Sequence, residues 1–224
     1  MASRGDVAGW TAALAVVAHP DDESFGLGAV IDTLVRSGTA VDVLCLTRGE
    51  ASTLGAGAED LAAVRSEELR AAADTLGVRR VSLRNHPDGG LVDVPVERLA
   101  DEIDAALVAT RVQGLLVFDT TGITGHPDHQ QATRAAVLAA ERHALPVLAW
   151  ALPEHVAATL RAETGSPFAG RPADEIDLVM PVDRTRQRAA VDCHPSQAVP
   201  GSVLWRRLEL LGDVEHLRWL LPTG

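Results

Sequence analysis

The sequence predicts an α/β fold, in which a mostly parallel sheet lies between two layers of helices in a Rossmann-like arrangement. Apolar runs of strand length alternate along the chain with longer segments of helical spacing, and short polar breaks separate them. Strands that alternate with helices build βαβ units with right-handed crossovers. We therefore predict a three-layer fold with strand order 3-2-1-4-5, to which the C-terminal part of the chain adds one more strand.

The predicted strands are apolar runs that end at polar or turn-forming residues. The run at 12–18 is continuously apolar, as expected for a strand buried on both faces, and it ends at His19-Pro20. The fourth strand, 114–118, has the same character and ends at Asp119. The other strands are predicted at 40–47, 80–83, 146–151 and 176–181.

The predicted helices carry apolar residues three and four positions apart. The first covers 25–36, and the second covers 58–76 and ends at Gly77, in the position where glycine commonly closes a helix. Further helices are predicted at 96–109, 128–142, 184–192 and 203–221. The stretch 164–173 is the most loop-like, and we expect it to cover a substrate cleft.

Composition limits the class of protein. The 224 residues, 46% of them hydrophobic, suit a single domain spanning 1–224 with a well-buried core. A net charge of −11 argues against nucleic acid as a partner, because nucleic-acid binding requires a basic surface. No apolar run approaches the ~20 residues of a membrane span, which argues against a membrane role. We expect the partner to be a small-molecule substrate.

The sequence constrains the cellular location and the oligomeric state less strongly. The N-terminal residues lack the basic and apolar segments of a signal peptide, and only two cysteines occur, so we expect a cytoplasmic protein. The segment 203–221 carries Trp205 and Trp219 among many leucines. We expect it to pack in the core or at an interface between copies rather than on a membrane, which leaves a homo-oligomer open.

Three of the eight histidines are followed by Pro-Asp, at His19, His86 and His126. The first tripeptide follows strand one, and the third follows strand four and opens a helix. Because these strands are neighbours in the predicted order, their carboxyl ends flank the crevice where such sheets bind ligands. Two segments more than 100 residues apart are thereby expected to meet in one site. The second tripeptide follows strand three, further out on the same edge.

The side chains around the first and third tripeptides suit a catalytic zinc site, which takes about three nitrogen or oxygen ligands and keeps one position open. His19 and Asp22 are three residues apart and can reach one ion, and His129 in the first helical turn can supply the third ligand. Asp21 is then free to act as general base on a bound water.

Two more side chains of the third tripeptide fit this chemistry. His126 would face the developing oxyanion, and Asp128 would orient and charge it. Alone, the first tripeptide reads equally well as a turn with an aspartate helix cap, and a lone His-x-x-His is more often solvated than metal-bound. A thiol site at Cys193-His194 and a dinucleotide site near Gly26 fit less well. Both tripeptides together favour the metal site.

At these residues the chain resembles a known family, the PIG-L/LmbE-like zinc-dependent de-N-acetylases. Its hallmarks are AHPDDE after the first strand, matched at 18–23, and HPDH, matched at 126–129. The resemblance implies one Zn²⁺ per chain. The roles it implies are zinc ligation by His19, Asp22 and His129, base catalysis by Asp21, and stabilisation of the tetrahedral intermediate by His126 with support from Asp128.

Four shorter matches outside the hallmarks imply substrate contacts. They are Glu50 in the loop after strand two, Arg65 in the second helix, Asp88 in the second tripeptide, and His194 near the C-terminus. The chain has no tyrosine and no lysine, so any tyrosine that other members place near the oxyanion is replaced or unnecessary. His86 has no role in this scheme.

The resemblance implies a zinc-dependent hydrolase that removes an N-acetyl or other N-acyl group from an amino sugar or a sugar-containing small molecule. The alternatives are a zinc-dependent hydratase or natural-product tailoring enzyme on the same scaffold, and a binding module without catalysis. The intact set of site residues argues against the binding module. The catalytic residues do not separate hydrolysis from hydration.

Overall fold

A computed structural model of the chain describes residues 7–54 and 59–222. Its strands in chain order are β1 (Ala12–Val17), β2 (Ala40–Thr47), β3 (Arg80–His86), β4 (Leu115–Phe118), β5 (Val147–Trp150), β6 (Leu152–Pro153), β7 (Gly170–Arg171), β8 (Leu178–Pro181) and β9 (Val214–Leu221). A seven-stranded sheet has the order β3-β2-β1-β4-β5-β9-β8, and β6 pairs with β7 in a two-stranded sheet.

Five strands of the large sheet run parallel. β1 pairs with β2 and β4, β2 pairs with β3, and β4 pairs with β5. The predicted order 3-2-1-4-5 is therefore confirmed. β9 then pairs antiparallel with β5, and β8 pairs antiparallel with β9. The strand predicted at 176–181 is β8, and it lies at the edge because β9 occupies the place beside β5.

The helices lie close to where the apolar spacing predicts them, with exceptions. They are α1 (Asp22–Phe25), α2 (Gly28–Arg36), α3 (Leu61–Leu76), α4 (Val96–Thr110), α5 (Gly122–Gly125), α6 (Pro127–His143), α7 (Glu154–Thr164), α8 (Thr185–Val191) and α9 (Val203–Leu211). The helix predicted at 25–36 is two helices, separated at Gly26 and Leu27, and α7 was not predicted. The predicted start of the second helix at residue 58 lies outside the described residues.

The prediction of one helix over 203–221 is wrong. The helix ends at Leu211, and Gly212 follows with φ 56° and ψ −137°, a conformation that suits glycine. The remaining residues form β9, whose side chains alternate in burial, with Glu215, Leu217 and Trp219 facing inward. The alternation has the two-residue period of a strand, and it was missed because the leucines also fit a helical spacing.

The core lies on both faces of the large sheet. Alternate β1 residues enter two separate apolar clusters, with Ala13, Ala15 and Val17 on one face and Leu14 and Val16 on the other. The first face is covered mainly by α2, α3 and α7, and the second by α4 and α6. Burial on both faces explains why these strands have continuously apolar sequences. Among the described helices, none has the length and apolar character needed to cross a bilayer.

The sheet brings the two conspicuous histidine motifs to one edge. Leu14 and Ala15 of β1 lie in register with Leu115 and Leu116 of β4, so both strands end at similar heights. β1 leads directly into the first motif. β4 leads through the short α5 into α6, where His126 is the N-cap and Pro127 takes the first helical position, as proline commonly does. The motifs thereby lie beside each other.

Candidate metal centre

His19, Asp22 and His129 converge on one point. Their ligand atoms all lie within 4.8 Å of one another. His19 Nδ1 is 3.2 Å from His129 Nε2, and His129 Nε2 is 3.2 Å from Asp22 Oδ1. Two imidazole nitrogens and a carboxylate oxygen are a ligand set that zinc prefers in catalytic sites. The structure therefore brings together the three residues predicted as ligands.

The outer hydrogen bonds of the two histidines decide which nitrogens are free. His19 Nε2 is 3.1 Å from Asp128 Oδ2 and 3.1 Å from Asp88 Oδ1. His129 Nδ1 is 3.3 Å from the Gly122 carbonyl oxygen. Because these oxygens only accept, each of these nitrogens carries the proton of the neutral ring. In these tautomers the lone pairs of His19 Nδ1 and His129 Nε2 face each other beside the Asp22 carboxylate, an arrangement that a proton or a metal cation between them stabilises.

The electrostatics of the centre favour positive charge in the same place. Burial lowers the pKa of His19, but hydrogen bonds to Asp128, Asp22 and Asp88 outweigh it and raise that pKa well above its usual value. Burial alone would raise the pKa of Asp22, yet the neighbouring His129 holds it well below the usual range. The Asp22 Oδ2 atom accepts the backbone N–H groups of Ala18 and His19, which leaves Oδ1 for a metal. The residues present therefore fit a divalent ion.

Asp21 lies beside this cluster in a strained conformation. Its φ of 140° and ψ of −24° are unusual for a residue with a side chain, and such strain is common at functional sites. The backbone N–H donates to Glu23 Oε2 at 3.0 Å, and the carboxylate lies 3.0 Å from Arg65 Nη2. Burial raises the pKa of Asp21 to about 6, although the charge of Arg65 opposes the shift. Its carboxylate is held next to the ligands without being one of them.

His126 stacks on His129, with ring centroids 4.7 Å apart. Its Nδ1 accepts the backbone N–H of Asp128 at 3.2 Å, so the neutral ring carries its proton on Nε2. Burial lowers the pKa of His126, and the nearby His129 and His19 lower it further. The ring is thus kept neutral, with an N–H available as a donor.

The Asp128 side chain, predicted to support His126, makes no hydrogen bond to that ring in the described part of the chain, although its charge opposes the lowering of the His126 pKa. The Asp128 carboxylate contacts His19 instead, and it also accepts the backbone N–H groups of Gly89 and Leu91 at 2.8 and 3.1 Å. The hydrogen bond to His126 comes from the Asp128 backbone N–H, and an Asp128 carboxylate oxygen lies within 4.8 Å of a His126 ring nitrogen. Asp128 is fully buried, so it joins the loop after β3 to the metal centre.

The four residues predicted to contact substrate have different surroundings. Asp88 lines the cavity at the centre, but one carboxylate oxygen faces His19 and the other accepts the Ala51 backbone N–H. Glu50 is exposed and accepts the Asp88 backbone N–H at 2.9 Å. Arg65 also lines the cavity, yet its guanidinium donates to the carbonyl oxygens of Gly49 and Pro20. These contacts hold the loops around the centre.

The predicted substrate contact of His194 is wrong. Its side chain is fully buried, and Nε2 lies 2.8 Å from Glu23 Oε1, away from the cavity. Because Glu23 accepts the Asp21 backbone N–H, His194 acts on Asp21 through Glu23. His86, which had no predicted role, lies 3.0 Å from Glu102 Oε1 and joins the end of β3 to α4.

Comparison with known proteins agrees with this geometry. The family profile "PIG-L: GlcNAc-PI de-N-acetylase" matches residues 14–140, which contain both histidine motifs of the centre. The chain belongs to the PIG-L family. A 1D-myo-inositol 2-acetamido-2-deoxy-alpha-D-glucopyranoside deacetylase from Salinispora arenicola (strain CNS-205) is 30% identical over 239 residues, covering 86% of this chain and 78% of the relative.

Solved structures share the PIG-L fold of this chain. The A40926 pseudoaglycone deacetylase Dbv21 aligns with a TM-score of 0.71 and 22% identity over 93% of this chain and 96% of its own. The zinc inhibited form of the teicoplanin deacetylase Orf2 aligns with a TM-score of 0.68 and 21% identity over 93% of this chain and 97% of its own. At these identities the agreement concerns the fold alone.

A cavity of about 440 Å³ opens onto the metal centre of this PIG-L protein. The aromatic rings of Phe25, Phe118 and Phe168 line it, and Phe168 belongs to the stretch 164–173 that was expected to cover a cleft. Arg207 of α9 also lines the cavity, and the sequence pattern gave no sign of it. Its signal was hidden because 203–221 reads as one helix rich in leucine, in which its three arginines suit solvent-facing positions.

Proposed function

We propose that this chain is a zinc-dependent hydrolase that removes an N-acetyl group from an amino sugar or a sugar-containing small molecule. The observation that carries the proposal is the set of two imidazole nitrogens and one carboxylate oxygen within 4.8 Å of one another, with the carboxylate of Asp21, which is not part of the set, beside it. Family membership supports the same reaction class, because the family profile describes a de-N-acetylase and the matched relative is a deacetylase.

The proposed ion is one Zn²⁺ per chain, in one catalytic domain that spans 1–224. His19 Nδ1, His129 Nε2 and Asp22 Oδ1 would hold it, and Asp88 and Asp128 would orient His19 from behind. When bound, zinc polarises the amide carbonyl and lowers the pKa of a water molecule. A set of only three protein ligands leaves room for both.

The protein's own groups would move the protons. Asp21 accepts the proton of the attacking water, and its contact with Arg65 keeps the carboxylate in place during this step. His126 donates its Nε2 proton toward the carbonyl oxygen as negative charge develops there. The proton held by Asp21 then passes to the departing amine, directly or through His126.

The cavity suits a sugar. Its volume of about 440 Å³ lies within the ordinary range of small-molecule sites. Phe118 and Phe168 offer apolar surfaces for a sugar face, while the residues of the metal centre supply polar groups at the depth of the cavity. This distribution of apolar and polar groups suits a sugar ring whose acetamido group points toward the metal centre.

The test separates the roles of base and ligand. Asp21→Asn should retain zinc but lower kcat for acetate release from N-acetyl amino sugars by about 10²- to 10⁴-fold, the usual contribution of a general base. His129→Ala should lose zinc, because it removes one of three ligands. Elemental analysis and an acetate assay give both quantities. Near-normal turnover in Asp21→Asn, or full zinc content in His129→Ala, would contradict the assignments.

The same assay addresses hydration. If the zinc-loaded protein releases no acetate from a panel of N-acetyl amino sugars but bleaches a conjugated enoate, the centre is that of a hydratase. Absence of bound zinc together with inactivity would leave a binding module. The complete set of candidate ligand and base residues argues against a binding module, whereas the same set would serve hydrolysis and hydration equally.

A further inference from the structure

Arg207 is a second arginine on the wall of the catalytic cavity, and nothing in the proposed reaction uses it. It lies one helical turn after Val203 on α9, and both side chains line the cavity. Its Nη2 donates to the Phe25 carbonyl oxygen at 2.6 Å. Its guanidinium carbon lies 5.1 Å from the centre of the Trp150 ring. The side chain is therefore fixed in position at the cavity.

The charge of Arg207 meets the face of the Trp150 ring but no carboxylate of the described residues. Its Nε is buried and makes no hydrogen bond among the described residues, and none of their carboxylates forms an ion pair with it. The nearby Glu215 is already taken by Trp150 and Arg184. Burial lowers the pKa of Arg207 to about 10, so the group stays charged at neutral pH. A guanidinium that faces a cavity without a carboxylate partner is suited to bind an anion.

Arg65 is the other arginine of the cavity, and it is not equivalent. Its Nη1 and Nη2 donate to the Gly49 and Pro20 carbonyl oxygens at 2.7 and 2.6 Å, and Nη2 also lies 3.0 Å from Asp21. The guanidinium of Arg65 is therefore already paired with groups of the protein itself. Arg207 contacts only neutral groups among the described residues, the Phe25 carbonyl oxygen and the Trp150 ring. Arg207 is therefore the cation that a ligand can engage.

We propose that Arg207 is a specificity residue that binds an anionic group, a phosphate or a carboxylate, carried by the sugar substrate. This inference rests on the proposed deacetylase function and names the substrate class of the same site. The acids of the cavity, Asp21, Asp22 and Asp88, would repel such a ligand. A fixed guanidinium offsets that repulsion and offers paired N–H donors in the geometry of these anions.

The experiment measures binding of product-type amines, which cannot be turned over. Zinc-loaded protein is titrated by calorimetry with glucosamine, glucosamine 6-phosphate, glucosamine 1-phosphate and muramic acid. At least one of the three anionic amines should bind about 10-fold more tightly than glucosamine. The amine that does so identifies phosphate or carboxylate as the group. Arg207→Gln should weaken it by about 10- to 100-fold and leave glucosamine within twofold.

Two variants keep the result interpretable. Arg207→Lys keeps the charge but loses the paired donors, so it should retain part of the preference. Arg206→Gln is the matched control, because Arg206 lies next on the same helix, pairs with Glu163 and Glu209, and does not line the cavity. It should bind all four amines as the natural protein does. If Arg207→Gln is unstable, Arg207→Lys alone must weaken the anionic amine more than glucosamine.

The proposal is overturned if glucosamine binds as tightly as all three anionic amines, or if the Arg207 variants weaken neutral and anionic ligands equally. Equal weakening would mean that Arg207 only anchors α9 to Phe25. Failure of the deacetylase function has a different signature, since it appears as absent acetate release from the N-acetyl sugars. The binding preference does not depend on that release, so the two failures are distinguishable.

Discussion

Removal of Glu23 should displace Asp21, the proposed general base, without releasing the proposed zinc ion. Glu23 is fully buried, and its carboxylate accepts three hydrogen bonds, from the Asp21 backbone N–H at 3.0 Å, the Ser24 hydroxyl at 2.6 Å and His194 Nε2 at 2.8 Å. In Glu23→Ala these three donors lose their acceptor. Each buried donor left unpaired costs about 1–3 kcal/mol, and partial relaxation limits the total to roughly 3–5 kcal/mol.

This loss predicts two measurable changes. The Tm should fall by roughly 6–20 °C, since 1 kcal/mol corresponds to about 2–4 °C in a chain of this size. The strained Asp21 backbone loses the acceptor of its N–H, so its carboxylate should shift and kcat should fall by about 10- to 100-fold. Zinc content should stay normal, because the Asp22 carboxylate is held by the backbone of Ala18 and His19 instead.

Two controls accompany the variant. Glu23→Gln keeps a carbonyl oxygen for the Asp21 N–H, so its kcat should stay within about 10-fold of the natural protein. Glu68→Ala also removes a buried carboxylate, one that accepts two bonds from Ser196 and none from Asp21, and should lower Tm more than kcat. Calorimetry, zinc analysis and acetate release measure the three quantities. A Tm within 2 °C and a kcat within twofold in Glu23→Ala would refute the reasoning, as would zinc loss parallel to the loss of activity.

Two further predictions concern stability and packing. The buried carboxylate of Asp119 lies 2.9 Å from Arg171 and 3.2 Å from Arg218. Burial raises the pKa of Asp119, but the hydrogen bond from Arg171 outweighs it, so the pKa is lowered. Asp119→Asn should therefore cost roughly 3 kcal/mol at pH 7 by urea unfolding. The difference should disappear as the pH falls through the lowered pKa, below 3.8, whereas a constant gap across pH would contradict it. In Gly26→Ala the new Cβ would come within 2.4 Å of the Phe118 ring, which must therefore move. Because that ring lies 4.8 Å from the ring of His129, both the zinc affinity and the Tm should fall. Gly9→Ala, which meets no atom within 4 Å, should change neither, and equal zinc affinity in both variants would count against the packing argument.

The sequence predicts the parallel part of the sheet because burial on both faces leaves a simple record, a continuous apolar run such as that of β1. Strand order then places β1 and β4 together and with them His19 and His129. β9 was missed because it is buried on one face only, and its alternating side chains include leucines that also fit a helix. Local periodicity does not reveal which of the two patterns the tertiary structure selects.

Residue roles were harder to predict than residue positions. The motif identified Asp128, but its partner depends on the direction of a side chain, and the carboxylate turns to His19 rather than to His126. His194 was assigned to substrate contact because its segment resembles a family element near the C-terminus, yet the burial of the side chain is a property of the whole fold. Arg207 carried no motif at all. Its importance comes from a cavity wall formed by α9, which sequence spacing does not show.

The three His-Pro-Asp tripeptides are one unit in space. His19 of the first tripeptide has its Nε2 3.1 Å from Asp88 of the second and 3.1 Å from Asp128 of the third. Two carboxylates on one imidazole N–H fix the tautomer and raise the electron density at Nδ1, the atom that faces Asp22 and His129. The contact of His86 with Glu102 fixes the end of β3, from which the loop with Asp88 begins. The repeated tripeptide therefore places His19, a proposed ligand, and the two carboxylates that orient it.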